Sequence, residues 1–257
     1  MLTLTLQTSD RNNAVAVFKA GECLFKTDYE DFIAHHFSPA NEKSAQAPPG
    51  GSTLLLPMVQ FCLKQTKVTA ADLGLIAVTQ GPGMFTPLRV GVVAAKTMAF
   101  VNNVPLVGVD VLEALALATT KRRDLKPGQI VESVVNAQRK QIFTGRFEVS
   151  TDQRVEKQGE SQLVLAEKWA QEISAPKVLT GPGLKIVPES QRMRLSEHED
   201  IVIESDELCN CDVAAVADIA GQRFSNGDVD DPWSLSPIYF RPSAAEEVRA
   251  AKSASSK

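Results

Sequence analysis

The 257 residues carry 27 Lys and Arg against 31 Asp and Glu, a formal net charge of −4, and a pI near 5.5. An acidic average excludes a protein that grips nucleic acid through its bulk charge, because such grip needs a basic patch. With 44% hydrophobic and 23% charged residues, the composition is that of a globular chain of one large domain or two ordinary ones. No run approaches the ~18 apolar residues of a membrane span.

Residues 2–8 and 14–19 alternate as strands and are joined by the turn-forming cluster Ser9-Asp-Arg-Asn-Asn13. The opening hexamer therefore reads as a strand and lacks the basic region and apolar run of a secretory leader, so a cytoplasmic chain is expected. Gly21 marks a second turn, and residues 22–28 complete an antiparallel meander. Residues 38–51, rich in Pro, Gly and Ala, break all periodicity and read as a surface loop. Ser52 or Thr53 is placed to cap a helix to about residue 66, with Pro57 near its first turn.

Leu75-Ile-Ala-Val78 is a short apolar run with the character of a buried strand, and an apolar helix follows over residues 87–102. Between them lie Gly81, Pro82 and Gly83, residues with unusual backbone freedom and restriction. Thr86 is expected as the helix cap with Pro87 at the first helical position. Such a strand, glycine turn and helix N-terminus is able to hold an anion. This one lacks the Gly-Lys-Ser/Thr ending of a P-loop and the third glycine of a dinucleotide fingerprint. A strand at 105–109 and a helix from a capping Asp110 to about Arg123 close the first half.

Charge distribution separates this part from the rest. Residues 44–109 hold five charged side chains, Lys64, Lys67, Asp72, Arg89 and Lys96, where the chain average would place about fifteen. Two helices there are apolar on more than one face, which favours a protein–protein interface over simple burial.

After the turn Lys126-Pro-Gly-Gln129, strands are expected at 130–136 and 141–149, with a third around 158–163. A helix at 165–174 holds Trp169, and a strand at 177–180 leads into Gly181-Pro-Gly183, so the second half repeats the plan of the first. A helix follows at 212–224. The loop 226–232, although rich in Asp, lacks EF-hand spacing and reads as solvated. Residues 243–257 read as a flexible tail.

The residue inventory offers little for catalysis. His35 and His36 are sequence neighbours and His198 lies in a charged stretch, so no H-x-x-x-H pair exists. Cys209-Asn-Cys211 is a lone C-x-C, short of zinc-site spacing, and Cys62 has no evident activating partner. No G-x-S-x-G is present.

Gly81-Pro-Gly-Met-Phe-Thr-Pro-Leu-Arg-Val-Gly91 resembles the Gly-Pro-Gly-Ser-Phe-Thr-Gly-x-Arg-x-Gly block of the bacterial TsaB (YeaZ) family. Leu56-Pro-Met-Val59, Val104-Pro-Leu-Val-Gly-Val109, Asn136-Ala-Gln-Arg139 and Pro237-Ile-Tyr-Phe-Arg241 follow in the family's order. The resemblance implies a two-lobed α/β fold of the actin/hexokinase/Hsp70-like (ASKHA) type, each lobe an RNase H-like mixed sheet with flanking helices. The expected division is an N-terminal lobe at 1–110, a C-terminal lobe at 111–242 and the tail.

It further implies a non-catalytic scaffold subunit for threonylcarbamoyladenosine formation at position 37 of tRNA by TsaD, with TsaE in the complex and tRNA met only through it. The expected partner-facing residues are Leu55, Met58, Val59 and Cys62 on one helix, and Arg89, Val92, Ala95, Lys96 and Ala99 on the other. They would meet TsaD or, in isolation, a second copy in a homodimer. Gly81, Pro82, Gly83, Phe85 and Thr86 would form the structural turn. No metal and no cofactor are expected on the chain itself, with ATP or ADP confined to a partner interface. Gln7 and Asn136, where the family carries Asp, together with Pro87 and Gln138, weaken the case for nucleotide or metal chemistry. An ATP-binding, kinase-like ATPase of the same fold is the alternative, and a metallopeptidase a more distant one.

Overall fold

The computed structural model describes residues 1–37, 50–174, 177–205 and 210–238. The expected surface loop (except Gly50 and Gly51), Cys209, residues 239–241 and the tail lie outside the described residues. The first meander is β1 (Leu2–Gln7), β2 (Ala14–Lys19) and β3 (Glu22–Asp28). Then come α1 (Tyr29–His36), α2 (Gly51–Thr66), β4 (Leu75–Gly81), α3 (Phe85–Asn102), β5 (Leu106–Asp110) and α4 (Val111–Arg123). The second half contains β6 (Ile130–Asn136), β7 (Gln141–Val149), β8 (Val155–Lys157), β9 (Gln162–Leu165) and α5 (Ala166–Glu172). It continues through β10 (Lys177–Thr180), α6 (Glu189–Ser196), β11 (Ile201–Ile203) and α7 (Val213–Ser225).

Two sheets result, and they share one topology. The first has strand order β3-β2-β1-β4-β5, and the second β11-β10-β6-β7-β8 with β9 also pairing β7. In each, the opening hairpin is antiparallel, and two later strands then add in parallel on the free side of the first strand. Matching β6 to β1 and β10 to β4 makes the halves topological repeats, each with the RNase H-like arrangement. The glycine turns fall at the same place in both, after β4 and after β10, and Gly81 and Gly181 have positive φ of 132° and 110°. The fold is the two-lobed actin/hexokinase/Hsp70-like class implied by the resemblance.

Local signals explain most boundaries. Asp110 and Asp212 cap α4 and α7 by accepting from Leu112 N and Ala214 N. The alternation of β1 has a different cause from the half-exposed strand it suggests. Leu4 and Leu6 face α2 and α3, and the intervening Thr3, Thr5 and Gln7 are buried as well, with α7 packed on β1. Helix α1 escaped the sequence reading because it is eight residues long and buries only Phe32, although Asp28 caps it through Asp31 N at 2.9 Å. The strand expected around 158–163 falls instead at β9 (Gln162–Leu165), and residues 158–161 connect it to the short β8. Helix α6 and strand β11 lie in a segment for which the sequence analysis names no element; β11 pairs in parallel with β10 and packs against α6.

Helix α4 lies between the sheets. Leu112, Leu115 and Ala116 pack with Val131, Phe147 and Val178 of the second sheet, while Ala114 and Leu117 pack with β4, β5 and α7. Polar links hold it along its length. Asp110 pairs with Lys157 of β8 at 3.2 Å, and Thr119 Oγ1 donates to Thr180 Oγ1 at 2.9 Å. Lys121 pairs with Asp218 of α7. Arg122 and Arg123 both bind the buried Glu204 carboxylate, at 2.8 and 2.7 Å. Helix α7, expected with the C-terminal lobe, lies on the first sheet against β1, β4 and β5.

Glu113, in the first turn of α4, sits in this junction. Burial, reinforced by the neighbouring Asp110, raises its carboxyl from 4.5 to about 7, against the opposing pull of Arg223 and Lys157. A raised carboxyl pKa favours the fold below 4.5, and that contribution is lost as pH rises through 7. Glu113→Gln is therefore expected to match the parent in stability at low pH and to exceed it by roughly 1–2 kcal/mol at alkaline pH. Urea denaturation at both ends of that range measures the difference; equal stabilities at high pH would contradict the assignment.

Candidate functional site

The glycine turn between β4 and α3 packs against the loop that leaves β1. Gln7 is buried, and its Nε2 donates to Ser9 Oγ at 2.7 Å and to Asp10 Oδ2 at 3.1 Å, which folds that loop back on itself. Thr8 N donates to Thr79 Oγ1 at 2.8 Å, and Met84 N to Ser9 O at 2.7 Å. A Cβ on Gly83 would lie 2.3 Å from Ser9 O, and one on Gly91 would lie 2.0 Å from Thr8 Oγ1. The glycines thus admit the protein's own backbone and side chains to the space an anion would need. The expected cap is corrected accordingly: α3 starts at Phe85, with Met84 at the cap position and Thr86 and Pro87 inside the first turn. Ser9 O accepts from Met84 N, and Pro87 at the third helical position has no N–H for a capping hydroxyl to accept.

The nearby loop borders an acidic cavity. This cavity of about 180 Å³ beside the β1–β2 loop is lined by Asp10, Asp28, Asp31 and Asp212, with Lys26 the cation among its lining residues. Burial raises the pKa of Asp10, and hydrogen bonds from Gln7 and Asn12 oppose that rise. At the matching place in the second lobe, Asn136 Oδ1 accepts from Gln138 N at 2.8 Å and starts a tight turn. Both amides that stand where the family has Asp are therefore used in turn construction.

No described group of three or more His, Cys, Asp or Glu side chains is placed to hold a metal. His35 and His36 join an aromatic cluster in which the His36 ring stacks on Phe32 at 4.1 Å and meets Phe61 edge-on. Burial pushes the Cys62 thiol up to about 12, far from a thiolate nucleophile at neutral pH.

Helices α2 and α3 lie side by side on the first sheet, and their placement corrects the expected partner-facing residues. Leu55, Met58, Val59, Cys62, Val92, Ala95 and Ala99 are all buried in the core beneath the helices, against Leu4, Leu6, Val15, Val17, Ile76 and Val78. A side chain that fills this core cannot touch another protein. Lys96 is directed to the chain's own C-terminal segment, donating to the Trp233 and Leu235 carbonyls at 3.2 and 2.7 Å. Of the nine, Arg89 alone is exposed, with its guanidinium 3.7 Å from the centre of the Phe85 ring.

The outward face belongs to residues the sequence reading did not single out. Leu56 is 53% exposed, Val93 62%, Phe100 58% and Val101 72%. The 3.6-residue period separates these from the buried set only once the direction of the sheet is known. The period itself was obscured because both faces are apolar.

Duplicated sheets, a shared central helix, and a glycine turn filled by its own chain define a two-lobed ASKHA-type protein whose most conspicuous surface is an apolar helix pair. The sequence profile of the TsaD family, described as tRNA N6-adenosine threonylcarbamoyltransferase, matches residues 49–179, just over half of the chain. The chain belongs to that family. The transferase of Listeria monocytogenes serotype 4b (strain CLIP80459) is 36% identical over 108 residues, covering 42% of this chain and 31% of that one. The transferase of Geobacter sp. (strain M21) is 37% identical over 123 residues, covering 46% of this chain and 34% of that one. The match thus spans about a third of the length of these curated relatives. Among solved structures, YeaZ from Pseudomonas aeruginosa superposes with a TM-score of 0.69 at 18% identity, covering 93% of this chain and 99% of that one. That similarity is one of fold.

Gly91→Ala is expected to destabilise the protein by about 2–3 kcal/mol, because Thr8 and the packed turn have no room to retreat. Gly221→Ala, at a position in α7 with nothing within 4 Å of the added carbon, is expected to stabilise by roughly 0.5–1 kcal/mol. Denaturant midpoints check both, and a neutral Gly91→Ala would show that the close approach is not a constraint.

Proposed function

We propose that the chain is a non-catalytic partner subunit for threonylcarbamoyladenosine formation in tRNA, supporting a separate TsaD-type transferase, with TsaE as a further member of the assembly. Family membership supports the biochemical setting. The single observation that carries the role is the α2–α3 pair. Its inner side is fully used as core, and its outer side still leaves Leu56, Val93, Phe100 and Val101 in water. An exposed apolar stripe of this kind marks a site where another protein removes it from solvent. The filled glycine turn and the carboxylate-lined cavity support the non-catalytic part of the reading. On this reading nucleotide binds at the partner interface rather than in the turn, and tRNA is contacted through the complex, consistent with the net charge of −4.

Val93→Arg places a charge at the centre of the stripe without touching the core. It is expected to weaken binding to the full-length TsaD-type transferase of the same cell by at least about a hundredfold, with the melting temperature nearly unchanged. Isothermal titration calorimetry and a thermal melt are the two measurements. Undiminished binding by a folded variant would sink the proposal.

A further inference from the structure

The end of the second sheet away from Gly181 borders a polar cavity of about 320 Å³. One wall comes from a mismatch in strand pairing. Lys157 of β8 lies opposite Phe147, and Gln162 of β9 opposite Thr144, so the four residues 158–161 span only Gly145 and Arg146 of β7. Gln158 N still donates to Arg146 O at 2.8 Å, and Gly159 then turns the chain with a φ of 79°. The end of α5 supplies another wall through Trp169, Glu172 and Ile173. On the rest of this sheet face, Val134, Ile142 and Leu179 pack with Trp169, Ala170 and Leu184. Two residues along the same three strands, the face turns polar and presents Glu132, Thr144 and Lys177.

The base of the cavity is charged. Glu132 and Lys177 are 6% and 7% exposed, and the Lys177 ammonium donates to Glu132 Oε2 at 3.0 Å. Glu132 Oε1 accepts from Trp169 Nε1 at 2.7 Å and from Thr144 Oγ1 at 3.3 Å. The carboxylate is thus engaged at both oxygens. The ammonium has three donors, and among the described residues Glu132 is its one acceptor. A buried ion pair contributes little to stability over an apolar pair of the same volume. What this pair adds is a fixed cation with spare donors at the base of a cavity.

The other charged groups around the cavity are of both signs. The exposed Arg146 lies 3.8 Å from Glu132 Oε2 and is the second cation. Glu160 is exposed and has no partner among the described residues, and Glu172 is exposed and 3.7 Å from Lys168 on its own helix. Glu148, two residues from Arg146, accepts from Gln158 Nε2 at 3.2 Å. A polyanion would meet the Glu160 and Glu172 carboxylates unpaired, and a simple cation would meet Lys177 and Arg146. A small zwitterion satisfies both sets. The volume, near the lower end for ligand pockets, suits a molecule of a few heavy atoms.

We infer that this cavity binds a free α-amino acid, its carboxylate on Lys177 and Arg146 and its ammonium towards Glu160 and Glu172. The inference goes beyond the partner role proposed above and does not depend on it. The chain has two tryptophans, so Trp233→Phe in the full chain leaves Trp169, bonded to Glu132, as the sole indole reporter. Its fluorescence is titrated with each common L-amino acid, with propionate and ethylamine as the two halves of alanine, and with inorganic phosphate. Calorimetry on the parent chain repeats each titration that gives a signal. At least one amino acid is expected to saturate the signal with a Kd below about 1 mM. Propionate, ethylamine and phosphate are expected to bind at least about tenfold more weakly than that amino acid. Arg146→Gln and Glu160→Gln, both at exposed positions, are each expected to weaken its binding about tenfold with an unchanged thermal melt.

No saturable change with any amino acid up to about 10 mM would overturn the inference. Propionate, ethylamine or phosphate binding as tightly as the best amino acid would overturn it too, because one charge would then suffice. Undiminished binding in either folded variant would overturn the zwitterion site by removing one of its ends.

Discussion

The structure depends on the burial of α4 between two sheets. A helix covered by protein on opposite sides cannot use the usual division into one apolar stripe and one charged face. It is accordingly apolar from Val111 to Leu117 apart from Glu113, and its charges collect at the end as Lys121, Arg122 and Arg123. Those three side chains reach Asp218 of α7 and Glu204 beyond β11, while Asp110 at the other end reaches Lys157 of β8. The lobes are therefore joined by an element that belongs to both cores. Relative movement of the lobes would strain the helix core and its polar links together.

The glycine turn takes its meaning from the same requirement for close packing. Strand β1 runs through the centre of the first sheet, covered on both faces, and its exit loop must pass beneath the start of α3. The approach of Ser9 to Gly83 and of Thr8 to Gly91 is closer than any side chain would allow. A motif that looks like an anion cradle in one dimension is, in three, the seat for the chain's own loop. Gln7 serves this arrangement with its amide, donating to both Ser9 and Asp10.

The apolar excess of α2 and α3 has two parts. One part completes the core over the first sheet. The other remains in water and is continued by the segment 228–238, whose Trp233 rests against Phe100. The poverty of charge over residues 44–109 thus covers a buried apolar set and an exposed one. The same segment gives Lys96 a role inside the molecule, far from the one its position on a charge-poor helix suggested.

The sequence by itself determined the order and kind of most elements, the repetition of strand, helix and Gly-Pro-Gly in both halves, and the family. These rest on local chemistry: alternation in β2 and β7, the capping carboxylates of Asp110 and Asp212, and the backbone demands of Gly81 and Gly181. It also identified the α2–α3 pair as unusual from composition alone. Only the tertiary structure decided which side of that pair is outside. With apolar residues around the whole circumference, the 3.6-residue period has no phase until the sheet supplies one, and so Met58 and Val92 became core while Leu56 and Val93 became surface. The short pieces α1, α6 and β11, the return of α7 to the first sheet and the bonding of Asp230 to β5 were likewise settled by pairing between distant segments. Those pairings depend on partners far away in the chain and leave almost no local mark.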